Sequence, residues 1–308
     1  MSHSRLRVTA ALSLVAYVLL GLNCSARRTR SADGTTFQAD TQTITIHGNP
    51  PVIACWVLRT NSTEDLSRSE YIKHSWGRYC NSIDFIDSST PGIVADWFDV
   101  YDDLAAKSFR AWNFIYTKYL SAEKPHSPLV DFILKADADT YIIGTNLVEY
   151  LASFKNPAHR RYYIGKNFVD LNGNHFVAGT AIILSQAALR DMVHSSSPNC
   201  SFETFRARKA EDLALGVCLR DLNIQPHDTR DSTGAERFMV FGPDQMRVGG
   251  NDGNLPEWYL AFSQNKIMGK GCCSMKAIAF HYTTKEQLQH QTLVLRNGEW
   301  FWSPKSER

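Results

Sequence analysis

The sequence shows no charge imbalance: 33 basic and 31 acidic residues leave a formal net charge of +2 over 308 residues. Nothing in that balance argues for wrapping nucleic acid or for coating anionic lipid. Internal repeats and apolar heptads are absent, so a solenoid or a coiled coil is excluded. Long apolar runs are scarce. The one near the N-terminus, Val8 to Leu22, is broken only by Thr9 and Ser13 and falls short of the about 20 residues of a full span. A multispanning membrane protein is therefore excluded.

The remaining composition, 44% hydrophobic and 21% charged, is that of an ordinary globular chain. Arg5 and Arg7 precede the apolar run, and Arg27, Arg28 and Arg30 follow it. It reads as a signal peptide or a short signal-anchor, with the length favouring cleavage and secretion. Six of the seven cysteines (Cys55, Cys80, Cys200, Cys218, Cys272 and Cys273) lie beyond it, an even set that suits disulfides in an oxidising compartment. Two sequons, at Asn61 and Asn199, fit the same route.

These signals divide the chain into a tail (1–7), an anchor segment (8–24), a Ser-, Thr-, Arg- and Gly-rich stem (25–49), one folded domain (50–302) and a short C-terminal tail (303–308). Val52 to Leu58 is continuously apolar, as in a buried strand of a parallel sheet. A helix is expected over Asp65 to Trp76 and a strand over Ile83 to Ile86. The next helix should open at Asp102-Asp103, with Asp as N-cap, and bury Ala105, Phe109, Trp112, Tyr116 and Tyr119. Further strands are expected at Val130 to Leu134 and Thr180 to Leu184, the latter followed by a Ser185 cap and a helix through Met192. Alternating strands and helices give an α/β class.

Three places carry chemistry. The strand ending in Asp137-Ala138-Asp139 presents two carboxylates two residues apart, on one side of an extended chain. Hard oxygen ligands at a strand's C-terminal end suit Mg²⁺ or Mn²⁺ against a diphosphate; a solvated turn is the plainer reading. Asp212, in Glu211-Asp212-Leu213-Ala214-Leu215-Gly216, is either a general base or an acid that complements a helix dipole, and the dipole would lower its pKa. His281 closes the apolar run Ala277 to Phe280. Alone it is a core or surface residue; beside two aspartates it is a third ligand.

Cys55 and Cys80, one in the first strand and one just before the second, should be bonded, and Cys200 with Cys218 is a second pairing. Adjacent Cys272 and Cys273 should pair elsewhere or leave one thiol reduced, because bonding each other is strained.

Taken in order, Cys55-Trp56-Val57-Leu58, Lys73-His74-Ser75-Trp76, Lys107, Lys135 to Tyr141, Ala178-Gly179, Glu211 to Gly216, Arg230-Asp231, Gly271-Cys272-Cys273-Ser274 and Phe280-His281-Tyr282 resemble the core 1 β1,3-galactosyltransferase group of inverting glycosyltransferases, related to fringe. The resemblance implies a GT-A-type α/β fold with a mixed, mostly parallel central sheet in a single catalytic domain. It implies Mn²⁺-dependent transfer of galactose from UDP-galactose to the 3-hydroxyl of GalNAc on Ser or Thr of a glycoprotein. It also implies a type II Golgi membrane protein held by the N-terminal anchor, without nucleic acid and compatible with a homodimer.

Carried over by position, Asp137, Asp139 and His281 would hold the cation, and Leu58, Lys107, Asp137, His281 and Tyr282 would line the UDP-sugar site. Asp212 would be the base, and Trp258 would stack on the acceptor. The group carries three consecutive aspartates where this chain has Asp137-Ala138-Asp139, and it is Trp- and Tyr-rich where this chain has Leu260, Ser263 and Gln264. A fringe-like transferase with other substrates and a catalytically silent, chaperone-like relative are the alternative readings; retention of Asp137, Asp139, Asp212 and His281 argues against the second.

Overall fold

The apolar run before Arg59 forms a strand whose six residues, Ile53–Leu58, are all buried. In the computed structural model the described residues are 27–31, 34–38, 43–46, 49–91, 93, 101–121, 129–248, 255–263, 269 and 271–305. The expected tail 1–7 and anchor 8–24 lie outside them, as do parts of the stem, Gln264 and residues 306–308. Among the described residues no helix is long and apolar enough to cross a membrane.

The first strands, β1 (Arg27–Ser31), β2 (Gly34–Gln38) and β3 (Thr43–Ile46), form an antiparallel meander. Then come β4 (Ile53–Leu58), α1 (Thr63–His74), β5 (Ser82–Ile86), α2 (Leu104–Tyr119), β6 (Phe132–Asp137), β7 (Tyr141–Ile142) and α3 (Gly144–Ala152). A group of short strands follows: β8 (Tyr163–Ile164), β9 (Asn167–Val169), β10 (His175–Val177) and β11 (Ala181–Ser185). Helices α4 (Gln186–Val193), α5 (Phe202–Arg208) and α6 (Glu211–Asp221) lead to β12 (Phe238–Met239), α7 (Pro243–Val248) and α8 (Glu257–Phe262). The chain closes with β13 (Ala279–Phe280), α9 (Lys285–His290), β14 (Gln291–Arg296) and β15 (Glu299–Pro304).

The central sheet has the order β5-β4-β6-β11-β8. Strands β5, β4 and β6 are parallel, and β11 runs antiparallel to both β6 and β8. Only β11 is therefore reversed, so the sheet is mixed and mostly parallel, in an α/β arrangement. The pleat sorts its side chains into two apolar layers. Trp56, Leu58, Ile133 and Ile182 pack with Trp112 of α2 and Leu215 of α6. Ile53, Cys55, Val57 and Leu134 pack on the other face with Ile72 of α1 and Leu147 of α3. Helix α1 starts earlier than its apolar pattern suggests, because Ser62 caps it by accepting from the Asp65 amide, and a 3₁₀ turn takes over at Trp76. At α2 the expected aspartate cap is absent. Asp103 occupies the position without a side-chain bond, a 3₁₀ turn precedes it, and Asp102 pairs instead with Lys209 at 2.9 Å.

Two disulfides follow the expected pairing, Cys55–Cys80 and Cys200–Cys218. The third corrects it, because Cys272 and Cys273 are bonded to each other. The other four described cysteines are already bonded to one another, and the segment is held by its turns and hydrogen bonds. Gly269 and Gly271 turn the chain at φ +74° and +93°, values that glycine adopts without a steric cost. The Glu236 amide donates to Cys272 O at 3.3 Å, the Ser274 amide donates to Glu236 O at 2.8 Å, and the Trp300 indole donates to Ser274 O at 2.8 Å.

Candidate active site

Strand register places the expected residues at one edge of the sheet. Leu58 and Asp137 are paired at the C-terminal ends of β4 and β6, the side on which open α/β sheets bind ligands. Asp139 is not in the strand: β6 ends at Asp137, and a turn closed by the Thr140 amide on Asp137 O, 3.0 Å, carries Asp139. The two carboxylates therefore converge through a turn, and the simple alternation expected from an extended chain does not apply. A second, small sheet supplies the partner. Strand β13 runs antiparallel to β7 with Phe280 opposite Tyr141, which carries His281 back over the turn. The Thr283 amide and hydroxyl both donate to Asp139 O, at 3.0 and 2.6 Å, and lock that register.

His281 Nε2 thus stands 3.0 Å from Asp139 Oδ1 and 3.5 Å from Asp137 Oδ2. One ligand atom from each of the three residues falls within 4.8 Å of the others. Burial works against the charged form of Asp139, yet hydrogen bonding and charge from His281, with Arg68 behind, bring its carboxyl below the usual range. Burial pushes the His281 imidazolium down, but Asp139 and Asp137 outweigh it and raise the pKa. Two carboxylates and an imidazole are a donor set that suits a hard or borderline divalent cation such as Mn²⁺.

Behind this group lies Lys135, whose side chain has no solvent exposure. It points into the α6 layer and meets Asp137 Oδ1 at 2.8 Å and Glu211 Oε1 at 3.0 Å. Burial alone would lower its pKa, but the two carboxylates raise it above the ordinary lysine value. Glu211 is pushed up to about 7, chiefly by desolvation, with Lys135 pulling the other way.

Asp212 is half-buried in the first turn of α6, where Ala210 provides no side-chain cap. Its Oδ1 accepts from the Leu213 amide at 2.8 Å, and its Oδ2 accepts from the Gly179 amide at 3.3 Å, just ahead of β11. Desolvation raises its pKa despite those amides, so burial overrules the helix-end effect expected from position. The same helix can approach β10 because residue 216 is glycine: a Cβ there would lie 2.4 Å from Phe176 Cβ.

The aromatic residues fall on one wall. Tyr282 is 51% exposed and stacks on His281 with ring centroids 4.2 Å apart. Its φ of +51° is a left-handed conformation that costs a bulky residue about 1–3 kcal/mol, which marks a held position. Trp258, 39% exposed on α8, and Tyr282 both pack on Phe241, at 5.9 and 5.6 Å. Lys107 is buried in the first turns of α2.

Sequence reasoning assigned no role to Lys135, Glu211 or Phe241. For Lys135 a signal existed: one charge inside the apolar run Phe132 to Ala136 must be paired if the strand is buried. For Phe241 there was none, since its place depends on segments far apart in the chain.

No family model matches the chain. It is 29% identical over 243 residues to glycoprotein-N-acetylgalactosamine 3-beta-galactosyltransferase 1 of Xenopus laevis, covering 77% of this chain and 64% of that protein. It is 26% identical over 153 residues to beta-1,3-galactosyltransferase 1 of Homo sapiens, covering 44% and 43% of the two chains. This chain is a relative of the β1,3-glycosyltransferases. UDP-GlcNAc:betaGal beta-1,3-N-acetylglucosaminyltransferase 7 of Rattus norvegicus is a further match, 25% identical over 172 residues, 49% of this chain and 38% of that protein. The chain spans less than two thirds of the length of these curated relatives. A solved glycosyltransferase involved in glycosylation of the major capsid of PBCV-1 superposes with a TM-score of 0.40 at 12% identity, covering 77% of this chain and 97% of that one; the superposition is too loose to argue from.

Proposed function

We propose that this β1,3-glycosyltransferase relative is an inverting galactosyltransferase. It would transfer galactose from UDP-galactose to the 3-hydroxyl of GalNAc on Ser or Thr of a glycoprotein, as a Golgi enzyme held by an N-terminal anchor. The observation that carries this reading is the convergence of Asp137, Asp139 and His281 at the strand ends, with Asp212 fixed through Gly179 beside the same edge. Asp137, Asp139 and His281 would hold a divalent cation such as Mn²⁺. When bound, the cation supplies positive charge against the diphosphate that departs.

The chain's own residues account for the rest. Lys135 holds Asp137 from behind and leaves Oδ2 facing His281. Asp212 takes the proton from the acceptor hydroxyl as that oxygen bonds to the anomeric carbon, while the bond from this carbon to the diphosphate oxygen breaks and UDP leaves. Its raised pKa makes it a stronger base than an exposed aspartate, and base catalysis is typically worth about 10²–10⁴ in rate. Leu58, Lys107 and Tyr282 are assigned to the UDP-sugar side, and Trp258 to the acceptor side, where an aromatic face stacks on a sugar.

A screen of UDP-sugars and glycan acceptors, read by mass spectrometry, tests the proposal. Galactose added to a GalNAc-peptide supports it. Transfer of another sugar or to another acceptor makes the chain a fringe-like enzyme, and no transfer from any donor favours a silent relative.

A further inference from the structure

The β9–β10 hairpin turns Phe168 and Phe176 into the apolar core, and the pleat turns Asn167 and His175 the other way. Those two residues, joined at 3.2 Å through His175 Nδ1 and Asn167 Oδ1, form one wall of a cleft of about 410 Å³. Its size falls within the about 300–1,000 Å³ of small-molecule sites. Gln225, Asp228, Arg230 and Glu236 complete the lining, and none of these residues belongs to the Asp137, Asp139 and His281 group.

The cleft is built on fixed backbone. Pro226 bridges to Tyr163 of the edge strand β8, the His227 amide donates to Tyr163 O at 2.7 Å, and Thr229 donates to Gly165 O at 3.1 Å. The charges of the lining are matched internally. Arg230 Nε and one terminal nitrogen donate to the two oxygens of Asp228 at 2.9 and 2.6 Å. Lys166, itself buried, donates to Glu236 Oε1 at 2.5 Å. An anionic ligand would have to displace a carboxylate from its cation, and a cationic ligand the reverse.

The lining still has hydrogen-bonding capacity. A carboxylate offers about four lone-pair sites, a guanidinium five N–H groups, and each amide both donors and acceptors. Hydroxyls and amides donate and accept without net charge, and every lining residue except Pro226 is of a polar or charged type; a sugar ring carries several hydroxyls at once and can use more of this capacity than a single peptide side chain. From His175 the chain runs four residues to Gly179, which holds Asp212; at strand spacing that is at most roughly 13 Å.

We propose that this cleft is a saccharide subsite that takes a neutral sugar residue of the acceptor, a few units from the reacting hydroxyl. That placement rests on the function proposed above, whereas binding of the sugar does not.

Saturation-transfer NMR on the full chain tests it, with galactose, N-acetylgalactosamine, a peptide carrying two GalNAc residues, and the same peptide bare. The sugars should receive saturation in the parent and in Asp139→Ala, where the cation group is broken. Asn167→Ala, and Gln225→Trp, which fills the cleft from an exposed position, should each weaken sugar binding by about tenfold with an unchanged melting temperature. Equal saturation in parent and both variants overturns the subsite, and so does labelling of the bare peptide as strong as that of the glycopeptide. If no transfer activity is found yet sugar binding persists and responds to both variants, the subsite stands and the proposed reaction falls.

Discussion

Lys135 and Glu211 meet at 3.0 Å across the interface between β6 and α6, the lysine without solvent exposure and the glutamate only 4% exposed. This contact joins the strand that carries Asp137 to the helix that carries Asp212. Removing one partner leaves the other charge buried, which typically costs about 3–5 kcal/mol. Lys135→Met should therefore lower stability by about that amount at pH 7.5, measured by urea unfolding. The pair Lys135→Met with Glu211→Leu should recover part of the loss. A single variant as stable as the parent would show that the contact is energetically idle.

The Glu211 carboxyl, pushed up to about 7 mainly by desolvation, binds a proton more readily folded than unfolded, where its ordinary value is 4.5. Between these values the folded state holds more protons, so this residue's contribution to stability falls as pH rises from about 4.5 to about 7. Glu211→Gln should flatten that part of the stability profile, compared by urea midpoints at half-unit pH steps. A Gln variant with the parent's slope removes the assignment.

Asp139→Ala and His281→Ala should each reduce Mn²⁺ affinity by more than the about 10–100-fold typical of outer-shell partners, read by titration calorimetry without substrates. Full-strength binding in both variants would place the cation elsewhere.

Asp212→Asn should keep UDP binding and lower transfer by about 10²–10⁴, since the amide cannot take the acceptor's proton. In the parent, transfer should fall as pH drops through a value above 3.8, because burial raises this carboxyl and only its ionised form is a base. Normal turnover by the Asn variant would exclude Asp212.

Opening the Cys55–Cys80 bond releases a crosslink across 25 residues, and loop entropy puts its contribution at about 3–4 kcal/mol. The Cys55→Ala, Cys80→Ala double variant should lose about that much in urea unfolding.

The sequence made the central strands legible because their apolar runs have no other place to go than a buried sheet, as at Ile53–Leu58. Asp137, Asp139 and His281 were legible as residue types, but their meeting depends on the β13–β7 register, which joins segments about 140 residues apart and leaves no local trace. Asp212 was placed correctly on a helix start while its pKa was read with the wrong sign, because the burial contributed by neighbouring elements is invisible along the chain. The Cys272–Cys273 bond was missed for a related reason. Two preceding glycines, Gly269 and Gly271, turn the chain into the pair, and the contacts that hold it come from Glu236 and Trp300.

Phe241 stands under both Tyr282 and Trp258, so two exposed rings share one footing. A change in the size or tilt of that single ring displaces Tyr282, the neighbour of His281, and Trp258 together. On the proposed assignment of Tyr282 to the donor side and Trp258 to the acceptor side, preferences for the two substrates would be inherited as a pair. Divergence would then proceed by coordinated jumps, with few viable intermediates in which only one preference has moved.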